Sequence, residues 1–139
     1  MYKALEVAKY IITKCTKEDH PISNLQLQKI LYYVQKEFLQ QDREAFSDEF
    51  EAWQFGPVVP EVYRQYCGFG AMPIRLIYDQ KLTSEYEDII DPIVETKREL
   101  NPWDMVTETH QKGKAWDLTF QQGAGSYHVI AKSLIKTKG

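Results

Sequence analysis

The side chains able to do chemistry in this chain are few and scattered. There are three histidines, His20, His110 and His128, and two cysteines, Cys15 and Cys67. A metal site needs ligands at short, fixed spacings, and neither His20, in a polar loop, nor His128, in the last helix, shares a turn with another ligand type. No HExxH, paired cysteines, GxSxG or phosphate loop occurs. Gly123-Ala124-Gly125 does not follow a strand in a βαβ unit and reads as a flexible connection. Thr109-His110, with Trp116 six residues on, is the one arrangement that resembles an acid–base pair. It lacks a third group to orient the imidazole. Its better reading is structural, with His110 capping a helix or bonding a backbone carbonyl while Trp116 fills the core. These residues point away from an enzyme and from a bound cofactor or metal.

Base reading is a second chemistry to weigh. Asn24, Gln26, Gln28 and Lys29 open a helix after a break, as in a helix-turn-helix, and would face base edges and phosphates. Against this, the connection over residues 16–22 exceeds the usual turn, and arginine is scarce. The net charge of -3 also lacks the basic excess of a nucleic-acid binder. Lys112, Lys114, Lys132, Lys136 and Lys138 face only Asp117, and read as a solvated face. Protein recognition suits the composition best. Trp53, Phe55, Tyr63, Tyr66, Phe69, Trp103 and Trp116 are numerous for one domain, and aromatics beside turns are favoured contact residues.

The elements that must position these groups follow from periodicity. Ala4, Leu5, Ala8, Ile11, Ile12 and Cys15 form a helical stripe over residues 3–17, with Cys15 on the apolar face. Ser23 and Gln26 form a capping box ahead of Leu27, Ile30, Leu31, Val34 and Phe38, a helix expected to fade over residues 40–43. Loose alternation over residues 46–55 predicts a strand or hairpin, closed by a turn at Gly56-Pro57. Pro60 then starts a short helix that stops at Gly68 and Gly70. Residues 74–78 suggest a second strand. A helix capped by Ser84 and Glu87 carries Pro92, which should kink or divide it. Asn101-Pro102 starts another helix, ending over residues 110–113. A loop holding Trp116 leads to Ser126, read as the cap of a final helix bearing Val129, Ile130 and Leu134.

The 139 residues suffice for one core, without a linker to divide them, so residues 1–139 read as a single domain. The fold class is α+β and mainly α, with six or seven helices around a two- or three-stranded β element. No apolar run approaches the ~18 residues needed to span a bilayer. Without a signal-peptide core, the expectation is a cytoplasmic protein whose cysteines are free thiols.

Three segments, in order, resemble the signatures of the Panacea domain family. Ser23-Asn24-Leu25-Gln26-Leu27-Gln28-Lys29-Ile30-Leu31-Tyr32-Tyr33 is similar to its opening helix. The run from Phe50 through Trp53, Gly56 and Pro57 to Tyr63 is similar to its centre, and Thr109-His110 with Trp116 to its C-terminal element. Ala115 stands where the family usually has proline before the tryptophan. SocA-type antitoxins and GepA-like phage-associated proteins are among its members. The resemblance implies an antitoxin that neutralises a cognate toxin by direct binding, by occlusion or as an adaptor delivering it to a ClpXP-type protease. The alternative is a phage-associated DNA-binding regulator using the N-terminal helices. Leu27, Leu31, Trp53, Gly56, Pro57, Tyr63, His110 and Trp116 are expected to be structural signature residues. Gln28, Lys29, Tyr32, Gln54 and Tyr66, beside the signature but off the clearest apolar stripes, are the expected partner contacts.

Overall fold

A computed structural model describes all residues, Met1–Gly139. Its centre is a helix, α2 (Asn24–Gln40), that starts where the capping box places it: the Gln26 amide donates to Ser23 Oγ and the Ser23 amide donates to Gln26 Oε1. Helix α1 (Ala4–Lys17) packs along α2 through Val7, Ala8, Ile11, Ile12 and Cys15, all fully buried. Around α2 also lie α3 (Pro60–Tyr66), α4 (Ser84–Lys97), α5 (Pro102–Thr109) and α7 (Lys132–Lys138). The short α6 (Ala115–Phe120) joins α5 and α7. The fold is α+β and mainly α, with seven helices and one small sheet.

The sheet has three antiparallel strands in the order β2-β1-β3, where β1 is Phe50–Trp53, β2 is Gly56–Val58 and β3 is Val129–Ile130. Strand β1 pairs Glu51 with Val58 and Trp53 with Gly56 on one side, and Phe50 with Ile130 on the other. Its alternation buries Phe50 and Ala52 against the core.

Several sequence expectations are corrected. The hairpin turn is Gln54-Phe55, while Gly56 and Pro57 belong to β2. Proline is tolerated in β2 because that strand is an edge of the sheet. Residues 74–78 form no strand: the Ile74 amide bonds the Ile22 carbonyl, and the Tyr78 amide bonds Thr13 Oγ1. Those groups find partners on α1 and its loop, so no strand partner is needed. The cap of α4 is Thr83, one residue earlier than expected. Pro92 does not divide α4, since it and Asp88 face solvent, where water can satisfy the carbonyl it leaves unpaired. Trp116 lies in α6 and not in a loop. Ser126 caps no helix and His128 is not helical. The chain there extends beside Ala52, with the Tyr127 amide donating to the Ala52 carbonyl and the Ala52 amide to the His128 carbonyl. This makes residues 129–130 a strand and delays the last helix to Lys132.

Buried polar side chains on α2 fasten the segment that follows it. Gln35, fully buried, donates to the Phe46 carbonyl and accepts from the Ala45 amide. A Gln35→Leu change would leave both groups buried and unpaired. It is expected to cost on the order of 2 kcal/mol of stability in urea unfolding, with the fold retained.

Candidate binding groove

Beside Gln35, α2 buries three more polar side chains, Asn24, Gln28 and Lys29, at 4, 1 and 0% exposure. Gln28 Oε1 accepts from the Val59 amide at 3.0 Å and its Nε2 donates to Asn24 Oδ1, while Asn24 Nδ2 donates to the Tyr63 carbonyl. That chain of bonds sets the entry into α3. Lys29 runs the other way, under the hairpin, and its ammonium donates to the Phe55 carbonyl. Adjacent residues of one helix thus hold both ends of β2.

No carboxylate answers the Lys29 charge, and burial pushes its pKa down to about 7. The ammonium occupies the space where a side chain on residue 56 would begin. Glycine is required there twice over, because its φ is also +123°. Thr109 Oγ1 lines the same space and donates to backbone carbonyls of its own helix, Met105 and Val106. His110 terminates α5, and its ring stacks on Trp116 with centroids 3.6 Å apart and planes within 2°. Its Nε2 is buried without a partner. Burial, then the charge of Lys29, lowers the imidazole to about 4, against a smaller raising effect of the Phe55 backbone. Trp116 closes the floor by donating Nε1 to the Trp53 carbonyl at 2.7 Å. The signature residues Trp53, Gly56, His110 and Trp116 therefore meet at one place, beneath the hairpin tip. Leu27 and Leu31 are fully buried core, and Pro57 is buried in β2.

Above the hairpin tip the surface is different. Phe55, Tyr63, Trp103 and Tyr127 are exposed at 49, 37, 56 and 64%. Trp53 sits edge-on to Tyr63 and Tyr127, with centroids at 4.9 and 5.3 Å, and Phe55 sits edge-on to Trp103 at 5.5 Å. Together with Asn24, Leu25, Gln54, Val58 and Cys67 they line a groove of about 510 Å³ that no charged side chain enters. No three His, Cys, Asp or Glu side chains converge closely enough to hold a metal ion.

Of the five expected partner contacts, only Gln54 stands on the surface, in the groove wall. Gln28, Lys29, Tyr32 and Tyr66 are interior. Tyr32 packs edge-on against Phe50, and Tyr66 bonds Tyr78 through its hydroxyl at 3.0 Å. Gln28, Lys29 and Tyr32 lie off the apolar stripe of α2, but neighbours surround that helix and leave it no wet face there, while Tyr66 is on the side of α3 that packs on α1 and α2. The same burial removes Asn24, Gln28 and Lys29 from the face that a base-reading helix would need. The exposed aromatics Phe55, Tyr63 and Trp103 were visible as aromatics beside turns. Tyr127 carried no such signal, because its place depends on the long-range pairing with Ala52.

Two outcomes follow from this cluster. The folded His110 pKa, about 4, lies below its unfolded value of 6.5, so acidification through that window protonates the unfolded chain first. Stability should fall from pH 6.5 to 4 in thermal melts, and a His110→Phe variant, which keeps a ring on Trp116, should lose less over that range. Gly56→Ala, which meets both the ammonium and the positive φ, is expected to destabilise by more than about 1 kcal/mol in the same assay.

A family profile described as antitoxin SocA-like, Panacea domain, matches residues 27–117, from within α2 to the start of α6. Antitoxin SocA of Caulobacter vibrioides (strain NA1000 / CB15N) is 31% identical over 129 residues, covering 83% of this chain and 69% of that protein. No solved structure matches the chain. The matched segment contains the whole cluster of Lys29, Gly56, Thr109, His110 and Trp116 beneath the hairpin. The chain belongs to the SocA-like antitoxin family, built on the Panacea domain.

Proposed function

We propose that this protein neutralises a cognate toxin by binding it directly, with the aromatic groove as the docking surface for an apolar segment of that toxin. The observation that carries the reading is the groove itself. Four large aromatic side chains stay a third or more exposed around one uncharged concavity, on a domain that buries Trp116 of the same signature. Leaving Trp103 and Tyr127 in water is unfavourable, and covering them with a partner recovers that cost. Tryptophan and tyrosine also supply much contact area with few rotors to freeze. The groove carries no nucleophile–base pair, so the proposed role is occlusion or delivery and not turnover.

The cytoplasm is the proposed site of action, and handover to a ClpXP-type protease is the proposed second stage of neutralisation. That stage is what the resemblance to SocA-type antitoxins implies, since the groove accounts for binding alone. The regulator reading finds less support, because three of the four side chains it would use on DNA are buried and bonded within the chain.

Co-expression with the product of the adjacent gene tests the reading. If that product is toxic, this protein should restore growth, and purified copies should form a complex. Trp103→Ala should weaken the complex by on the order of 2 kcal/mol, about thirtyfold in Kd, without lowering the melting temperature. Rescue that persists in a host lacking ClpX would remove the protease stage and leave occlusion. A harmless neighbour together with a salt-sensitive shift of operator DNA would replace the antitoxin role with the regulator.

A further inference from the structure

The floor beneath the hairpin never reaches the groove, yet it is attached to both groove walls. Phe55 bears one wall in its ring and, through its carbonyl, the only hydrogen bond that Lys29 makes. Trp53 likewise presents its ring to Tyr63 and Tyr127 while its carbonyl takes the indole proton of Trp116. The opposite wall, Tyr63, is held through its carbonyl by Asn24 on the same helix as Lys29. Between the two, Gln54-Phe55 is a two-residue turn exposed to solvent. A shift of the Phe55 backbone away from α2 would carry the Phe55 ring with it and change its edge-on contact with Trp103.

We propose that Lys29 is a positioning residue for the groove: by holding the Phe55 carbonyl from below, its ammonium sets where the Phe55 and Trp53 rings stand, and partner docking depends on it although it touches no partner. The inference rests on the groove being the docking surface. An apolar side chain of similar length would fill the Lys29 channel and remove the cost of burying a charge, which outweighs the loss of one bond to a carbonyl on the exposed Gln54-Phe55 turn. What methionine could not do is grip a carbonyl, so the function of the ammonium is geometric. The groups that face it are the Phe55 carbonyl from the hairpin and, from α5, the Thr109 hydroxyl and the His110 imidazole, with Asp117 of α6 acting on His110. No acid competes with the carbonyl for its protons.

The test incorporates fluorotryptophan at Trp53, Trp103 and Trp116 and assigns the three fluorine resonances by single Trp→Phe changes. In Lys29→Met the melting temperature should equal or exceed that of the parent protein, while the Trp53 and Trp103 resonances shift or broaden. A folded Lys29→Met with both resonances unmoved overturns the proposal. If that variant does not fold, Lys29→Gln, one bond shorter so that its donor is withdrawn from the Phe55 carbonyl, takes its place, and unmoved Trp53 and Trp103 resonances in it overturn the proposal. In the co-expression assay Lys29→Met should lose rescue alongside Trp103→Ala. Rescue by Lys29→Met but not by Trp103→Ala sinks this inference and leaves the docking surface standing. Rescue by both sinks the docking surface, and the inference with it.

Discussion

Burying an ammonium without a counter-ion is costly, and much of the structure around the hairpin is arranged to permit it. Lys29 can sit at 0% exposure only if a backbone carbonyl reaches it, which brings the Phe55 turn down onto α2. That approach in turn excludes any side chain at residue 56 and leaves room for Thr109 at the end of α5. Gln28 and Gln35 extend the same arrangement along α2, each bonding backbone groups of residues 45–59. The strand–turn–strand segment thus has its register set by polar side chains of a helix as well as by its own ladder. A greasy α2 would supply cohesion but no register, because apolar contacts are not directional.

The electrostatics of the cluster are one-sided. Lys29 and His110 share a small, poorly hydrated space in which two positive charges would repel strongly. Burial first, and then the charge of Lys29, keep the imidazole neutral, so it serves as a flat ring against Trp116. This gives the Thr109-His110 pair a physical role without acid–base chemistry. The threonine back-bonds its own helix, and the histidine forms a lid on the indole that ties down Trp53. Chemistry-bearing side chains are here building material, and the reactive-looking motif is the underside of the exposed aromatic groove.

Much of the architecture was legible in the sequence where the signal was local. The stripe of α1, the capping box of Ser23 and Gln26, and the proline starts of α3 and α5 are each encoded within one or two turns, and each lies where the spacing placed it. The failures share a different cause. Gly56-Pro57 looks like a turn by residue type, but pairing with β1 makes it a strand. Val129 and Ile130 fit a helical stripe, but the free edge of β1 at Phe50 and Glu51 claims them. Pro92 looks like a break, but solvent on its face of α4 removes the penalty. In the two strands a partner distant in sequence outweighed the local preference, and at Pro92 it was the surroundings of the helix that did so.

The sequence by itself determined the helical class, the core faces of α1 and α2, and membership of a family, because those depend on residue type and short spacing. It also marked Gly56, His110 and Trp116 as belonging to one signature, with Lys29 beside it, without a reason why they should travel together. Only the tertiary structure supplied that reason, by enclosing α2 on so many sides that its polar residues are buried with its apolar ones. It decided, too, which aromatics are core and which are surface. Burial depends on where neighbouring elements pack, and a helix's own periodicity can show which residues share a face but not how many faces will be covered.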